Sequence, residues 1–286
     1  MADVKLSQAQ REQYEADGYM VVPKVLGEAE IARILARARA IAHGDYPLAA
    51  KSSVMRDIAF AKGLLPMPED PERALWKIMN ADRYDPVLAE AMRSPGLLDA
   101  AAALLGDDLL AFLFMLIYKP PQVPDSVHPF HQDGLYFQFE PHDLVAGAWV
   151  PLDPVNEDNG TLCVVPGTHR LPITGHEAIP GVNAGAFGAK GVEGSAHMLA
   201  KAVTLELDPG DCVLFHPHLY HRTGGNRTDG HRRVLTIHFA SARCRSLTPT
   251  QPDVYAFTLV RGHTYPGGLQ PAAAPQLGFR NDDVQL

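Results

Sequence analysis

The sequence predicts a mainly β protein, a jelly roll fronted by a helical N-terminal region. Three observations carry that expectation. Before residue 106 apolar side chains recur at helical intervals, from Leu109 the chain breaks into seven short β-rich runs, and turn residues punctuate those runs. Seven such runs suit an all-β architecture able to enclose a metal site. With 286 residues and 46% apolar side chains, the chain can bury one substantial core. The expected organisation is one domain over residues 1–286: a helical region at 1–105, a jelly-roll core at 106–245 and a C-terminal arm at 246–286.

In chain order, Ser7–Asp17 favours a helix, with Ser7 as N-cap and Gly18 ending it before an extended Tyr19–Pro23. Gly27–His43 places Ile31, Ile34, Leu35, Ala38, Ile41 and Ala42 at helical spacing between arginines and glutamates, the pattern of an amphipathic helix on a core. Glu72–Leu105 reads as further helix, broken near Asp85-Pro86 and Ser94-Pro95, because proline disfavours helical geometry in the residue before it. The β-rich runs are Leu109–Lys119, Val127–Phe139, Leu144–Leu152, Thr161–Val165, Val203–Leu207, Cys212–His216 and Arg233–Ala240. Turns fall at Glu157-Asp-Asn-Gly160, Pro166-Gly167 and Asp208-Pro-Gly-Asp211, where Gly and Asn accept positive φ. Between Arg170 and Ala200 glycines at 175, 181, 185, 188, 191 and 194 spoil any regular strand, and so long a loop reads as a lid. Pro266–Pro275 reads as an irregular arm.

Charge and cysteine usage narrow the function classes. The formal charge is −8 and the basic residues are scattered, which argues against nucleic acid as the main partner. Cys163, Cys212 and Cys244 are odd in number and lack C-x-x-C spacing, so buried thiols in a reducing compartment are expected rather than disulfides or a zinc site. The N-terminus lacks a secretory pattern, and the apolar run Leu109–Tyr118 is too short for a span that needs about twenty residues. A cytoplasmic enzyme of a small molecule is therefore expected, with no membrane association and no obligate protein partner evident.

The chemistry is concentrated in His131-Gln132-Asp133. On an extended chain successive side chains alternate faces, so His131 and Asp133 point the same way and can grip one metal ion. A second histidine would complete a 2-His-1-carboxylate site, which leaves adjacent coordination positions open for a chelating oxoacid and dioxygen. The candidates are His216, His218 and His221, which parity does not separate because Pro217 can bend the strand. If the turn Gly224–Gly230 folds the chain back as a hairpin, His221 faces Arg232, and that spacing favours His221. A guanidinium there could take the distal carboxylate of a metal-chelating oxoacid in a bidentate pair.

These residues, with Lys119-Pro-Pro121, His128-Pro-Phe-His-Gln-Asp133, Asp143–Trp149, Asn159-Gly-Thr-Leu162, Pro166-Gly-Thr-His169 and the block Gly210–Phe239, make the chain resemble the phytanoyl-CoA dioxygenase family of Fe(II)/2-oxoglutarate oxygenases. The resemblance spans most of the chain. It implies a double-stranded β-helix core, with Fe(II) bound by His131, Asp133 and His221, and 2-oxoglutarate held by Arg232. Lys119, Trp149 and Thr223 are implied as further contacts of the oxoacid. The implied reaction couples O2-dependent decarboxylation of 2-oxoglutarate to succinate and CO2 with hydroxylation of an unactivated C–H in a small organic or acyl substrate. Related halogenases replace the carboxylate ligand with a small residue; Asp133 retains it, which favours hydroxylation. The competing readings are a cupin-type metal enzyme that does not use 2-oxoglutarate and a non-catalytic binding module.

Other polar residues are assigned quieter roles. His128 is expected at the strand entry, His169 as a structural residue bonding a strand end, and His238 as a satisfied core histidine. Asp107-Asp108 reads as a solvated turn and Asn226 as a brace for the turn beneath the site. Lys51–Asp57 and the glycine-rich loop are placed to line a substrate entrance.

Overall fold

The computed structural model describes residues 6–45, 54–83, 85–178, 190–191, 196–248 and 255–272. Its helices are α1 (Gln8–Asp17), α2 (Glu28–His43), α3 (Ile58–Ala61), α4 (Pro86–Ala91), α5 (Pro95–Leu105) and α6 (Ala196–Leu199). The strands begin with β1 (Tyr19–Val22), β2 (Val54–Arg56), β3 (Leu75–Met79), β4 (Leu109–Lys119), β5 (His128–His131), β6 (Phe139–Glu140), β7 (Val145–Pro151) and β8 (Leu162–Val164). They continue with β9 (Glu177–Ala178), β10 (Lys190–Gly191), β11 (Val203–Thr204), β12 (Cys212–Phe215), β13 (His221–Thr223), β14 (Arg232–Ser241), β15 (Arg245–Ser246) and β16 (Thr258–Arg261).

An eight-stranded sheet runs β1-β12-β7-β14-β4-β3-β2 with β16 also on β4, and a four-stranded sheet runs β11-β8-β13-β5. Strands of the core alternate between the two sheets and pair antiparallel, giving the expected double-stranded β-helix. The N-terminal helices form where local chemistry dictates. Ser7 and Gln10 close a capping box on α1, and Gly18 ends it at φ 81°, a conformation glycine adopts without a Cβ clash. On α2 the buried stripe is Ile31, Ile34, Ala38 and Ile41. That stripe shares one continuous apolar core with the outer face of the large sheet, including Leu116, Ala148, Leu214 and Leu235. Burying it at about 25 cal/mol per Å² is what holds the helices against the sheet.

The structure corrects three expectations. Glu72–Leu105 is not helical throughout: Leu75–Met79 pairs with β4 through Lys77–Ile117, so a ladder partner overrides weak helical periodicity. The breaks expected near Asp85-Pro86 and Ser94-Pro95 are present: each proline opens a new helix, α4 and α5, at a first position where a missing N–H costs nothing. The C-terminal arm contributes a strand, β16, and buries Phe257 and Leu269. Asp108 is not a solvated turn residue, since it accepts from the His263 N–H at 3.0 Å and from the Tyr265 hydroxyl, tying that arm down. The lid expectation rests largely on residues 179–189 and 192–195, and part of the proposed entrance on 51–53, all outside the described residues. Among the described residues no helix is long and apolar enough to cross a membrane.

Candidate metal and oxoacid site

Two elements bring the metal-type ligands together. Strand β5 ends at His131, Gln132 remains extended at φ −118° and ψ 124°, and Asp133 opens a 3-10 turn. The expected run to Phe139 therefore stops early, but one extended residue suffices to keep His131 and Asp133 on one side. In the register of the small sheet His221 lies directly opposite His131, and the ring centroids are 4.1 Å apart. The Nε2 atoms of His131 and His221 stand 3.4 and 3.7 Å from Asp133 Oδ1. Among the described residues this is the one group of three such side chains whose ligand atoms all lie within 4.8 Å of one another.

Hydrogen bonds assign the tautomers. Nδ1 of His131 meets the Pro129 carbonyl at 2.8 Å and Nδ1 of His221 meets the Leu219 carbonyl at 3.0 Å. A carbonyl only accepts, so each Nδ1 carries the proton and each Nε2 turns a lone pair toward Asp133. Burial, reinforced by His131, pulls the His221 pKa down to about 4, which keeps the imidazole neutral. Burial opposes ionisation of Asp133, but positive charge on the neighbouring histidines whenever they are protonated, His221 foremost, and the N–H of His238 hold its pKa well below the usual carboxylate range. Two lone pairs and a carboxylate converging in a buried space fit a divalent cation, which relieves their mutual repulsion.

Arg232 stands on the opposite, large sheet. It is the first residue of β14, paired with Lys119 of β4, and is fully buried. Its Nε and both Nη atoms have no hydrogen-bond partner among the described residues. The nearby carboxylate of Asp153 is already held bidentately by Arg233, at 2.9 and 2.7 Å. Burial draws the Arg232 pKa down to about 9, so it remains cationic at neutral pH at a desolvation cost that a bound carboxylate would offset. The Trp149 ring centroid lies 6.0 Å from its guanidinium carbon. Lys119 is buried beside it and donates to the Ser126 carbonyl, while the Ser126 hydroxyl donates to Asp57 at 2.6 Å. Thr223, opposite His128, shares the face of His221.

The expected hairpin between His221 and Arg232 does not form. Strands β13 and β14 belong to different sheets, so His221 and Arg232 stand on opposite sheets of the barrel. The turn is carried over to the large sheet because Asn226, fully buried, donates to the carbonyls of Lys119 at 3.1 Å and Gly230 at 2.8 Å. His216 and His218 lie outside the cluster: His216 Nε2 meets Asp143 at 3.2 Å and the His218 ring packs on His142 at 4.4 Å. His128 stacks on His131 at 4.1 Å, and burial holds it neutral. The ring of His169 lies where a Gly18 side chain would be, packed against the end of α1, and its buried Nδ1 has no partner among the described residues.

Sequence reasoning missed Lys77. It is buried on β3 opposite Ile117, on the same face as Lys119 and Arg232, and burial lowers its pKa to about 8 against the pull of Asp133. A lysine between Trp76 and Ile78 in a strand-like run was the available signal. Reading that run as helix concealed the face it occupies.

A double-stranded β-helix with a buried histidine–carboxylate–histidine cluster, and on its other sheet a buried arginine without a partner among the described residues, defines the class of non-haem iron, 2-oxoglutarate-dependent oxygenases. The family profile described as phytanoyl-CoA dioxygenase (PhyH) matches residues 14–234, and the chain belongs to that family. It is 37% identical over 245 residues to a probable phytanoyl-CoA dioxygenase of Caenorhabditis elegans, covering 82% of this chain and 76% of that one. It is 33% identical over 245 residues to the peroxisomal phytanoyl-CoA dioxygenase of Homo sapiens, covering 84% and 70%. Among solved structures, the apo form of a non-heme monooxygenase, ThoJ, superposes with a TM-score of 0.69 at 23% identity, covering 95% of this chain and 90% of that one. The chain is thus an Fe(II)- and 2-oxoglutarate-dependent dioxygenase of hydroxylase type, with O2 as cosubstrate.

Proposed function

We propose that His131, Asp133 and His221 hold the ferrous iron, that Arg232 takes the distal carboxylate of 2-oxoglutarate, and that the protein hydroxylates an unactivated C–H of a small organic or acyl substrate. Bound iron supplies the activation of O2 coupled to decarboxylation of 2-oxoglutarate to succinate and CO2. The residues supply everything else. Two neutral imidazoles and one carboxylate occupy one side of the site and leave the other side for ligands. The Arg232 guanidinium orients the oxoacid, Trp149 walls its aliphatic part, and Lys77, Lys119 and Thr223 line the same interior. The buried positions of Arg232, Trp149, Lys77 and Lys119, with Thr223 half-buried, exclude water.

The observation that carries this reading is the fully buried Arg232, whose three nitrogens have no partner among the described residues, since a cation is rarely left so unless a ligand anion completes it. The chain works as one oxygenase domain, supported by the core that the N-terminal helices share with the large sheet. A reducing, cytoplasmic location is supported by three free buried cysteines. Succinate release measured across a panel of acyl-CoAs, free acids and small amines identifies the substrate class. With the best of these, Arg232→Ala is expected to raise the 2-oxoglutarate requirement by at least about tenfold. Turnover indifferent to 2-oxoglutarate concentration, in wild type or variant, contradicts the oxoacid role of Arg232.

A further inference from the structure

Asp133 has two oxygens, and only Oδ1 faces the imidazoles of His131 and His221. The other, Oδ2, meets Nε2 of His238 at 2.8 Å, so the carboxylate is held from behind. An ionised carboxylate can only accept, which places the His238 proton on Nε2. Its Nδ1 is buried with no partner among the described residues, so this ring makes one hydrogen bond and makes it to Asp133.

The ring cannot turn away. It is packed among Phe112, Phe137 and Phe215, with centroids at 5.7, 5.1 and 6.4 Å. In the register of the large sheet His238 lies opposite Gly147, which in turn lies opposite Phe215; a side chain at 147 would fall on the Phe215 ring. A register shift between Thr236 and His238, where β4 carries Leu113 at φ 56°, sets the ring opposite Phe112. Packing and a bulge thus aim one N–H at one carboxylate oxygen.

We infer that His238 is a positioning residue that holds Asp133 as a single-oxygen ligand, so that the second carboxylate oxygen does not take a coordination position needed by 2-oxoglutarate or O2. The inference rests on the assignment of His131, Asp133 and His221 as metal ligands. His238 acts through Asp133, whose Oδ2 it bonds.

The test uses Co(II) as the probe, titrated anaerobically by calorimetry and visible absorption into the full-length protein, His238→Gln and His238→Asn. A glutamine amide reaches the place of Nε2 and an asparagine amide only that of Nδ1, so both variants are polar and one keeps the contact. Loss of such a partner lowers metal affinity about 10–100-fold. His238→Asn is expected to show that loss with an altered Co(II) spectrum, and His238→Gln to stay within about threefold of wild type. Thermal unfolding of the metal-free variants identifies any loss caused by misfolding. Wild-type affinity and spectrum in His238→Asn overturn the inference, and so does an equal loss in both variants, which assigns the effect to the missing ring. Asp133→Ala binding Co(II) as wild type does overturns the ligand assignment itself, an outcome distinct from the first two.

Discussion

Which nitrogen each histidine presents decides what the site can hold. Both Nδ1 atoms are spent on carbonyls, so His131 and His221 must remain neutral to serve as ligands. For the metal-free protein this has a consequence for stability. The pKa of His221 falls from 6.5 to about 4 on burial, so the unfolded chain binds a proton that the folded chain refuses. The stabilisation is complete above pH 6.5 and is lost as pH falls through the folded value near 4. From His221 alone the loss amounts to about 2 kcal/mol at pH 5. His128 and His216 are shifted downward as well, and Asp133, whose pKa is depressed, adds a loss in the same direction at still lower pH. Denaturant midpoints of metal-free protein at pH 7.5 and pH 5 should therefore differ, with the lower pH less stable. Equal midpoints contradict neutral burial. At this scale much was legible. His131 and Asp133 follow from alternation about a single extended residue, whereas Lys77 and the contact between His238 and Asp133 depend on cross-strand register, which spacing along the chain does not encode.

Strands, not single residues, carry the site's geometry. His131 and His221 meet because β13 inserts between β5 and β8, and Arg232 stands on the opposite sheet because the next strand crosses over to it. The turn residues Gly224–Gly230 signalled a reversal, but a reversal within one sheet and a crossing between two sheets use the same residue types. What separates them is Asn226 tied to the backbone of Lys119, a contact more than a hundred positions away in the chain. The close approach of β7 and β12 is equally specific, since Gly147 leaves room for the Phe215 ring, which lies 4.8 Å from the ring of His221. Gly147→Ala should cost about 1–3 kcal/mol in denaturant unfolding, because the overpacked ring must move. It should also weaken metal binding, since that ring braces His221. An alanine variant of wild-type stability contradicts this packing.

Across the whole molecule, the sequence announced the class of fold more clearly than its edges. The alternation of strands between two antiparallel sheets follows from seven β-rich runs with explicit turns, and the helical cover follows from capping residues and an apolar stripe. The strands added beside β4, namely β3 with β2 beyond it and β16, escaped because such pairing is a property of the partner strand as much as of their own residues. The central claim joins the two sheets: a ferrous ion held on the small one and an oxoacid carboxylate held on the large one, chelated together. That claim is tested most directly by adding 2-oxoglutarate to the anaerobic Fe(II) protein and recording the visible spectrum. A weak charge-transfer band in the wild type, absent in Asp133→Ala, is the predicted result; a band that persists in Asp133→Ala, or none in the wild type, contradicts it.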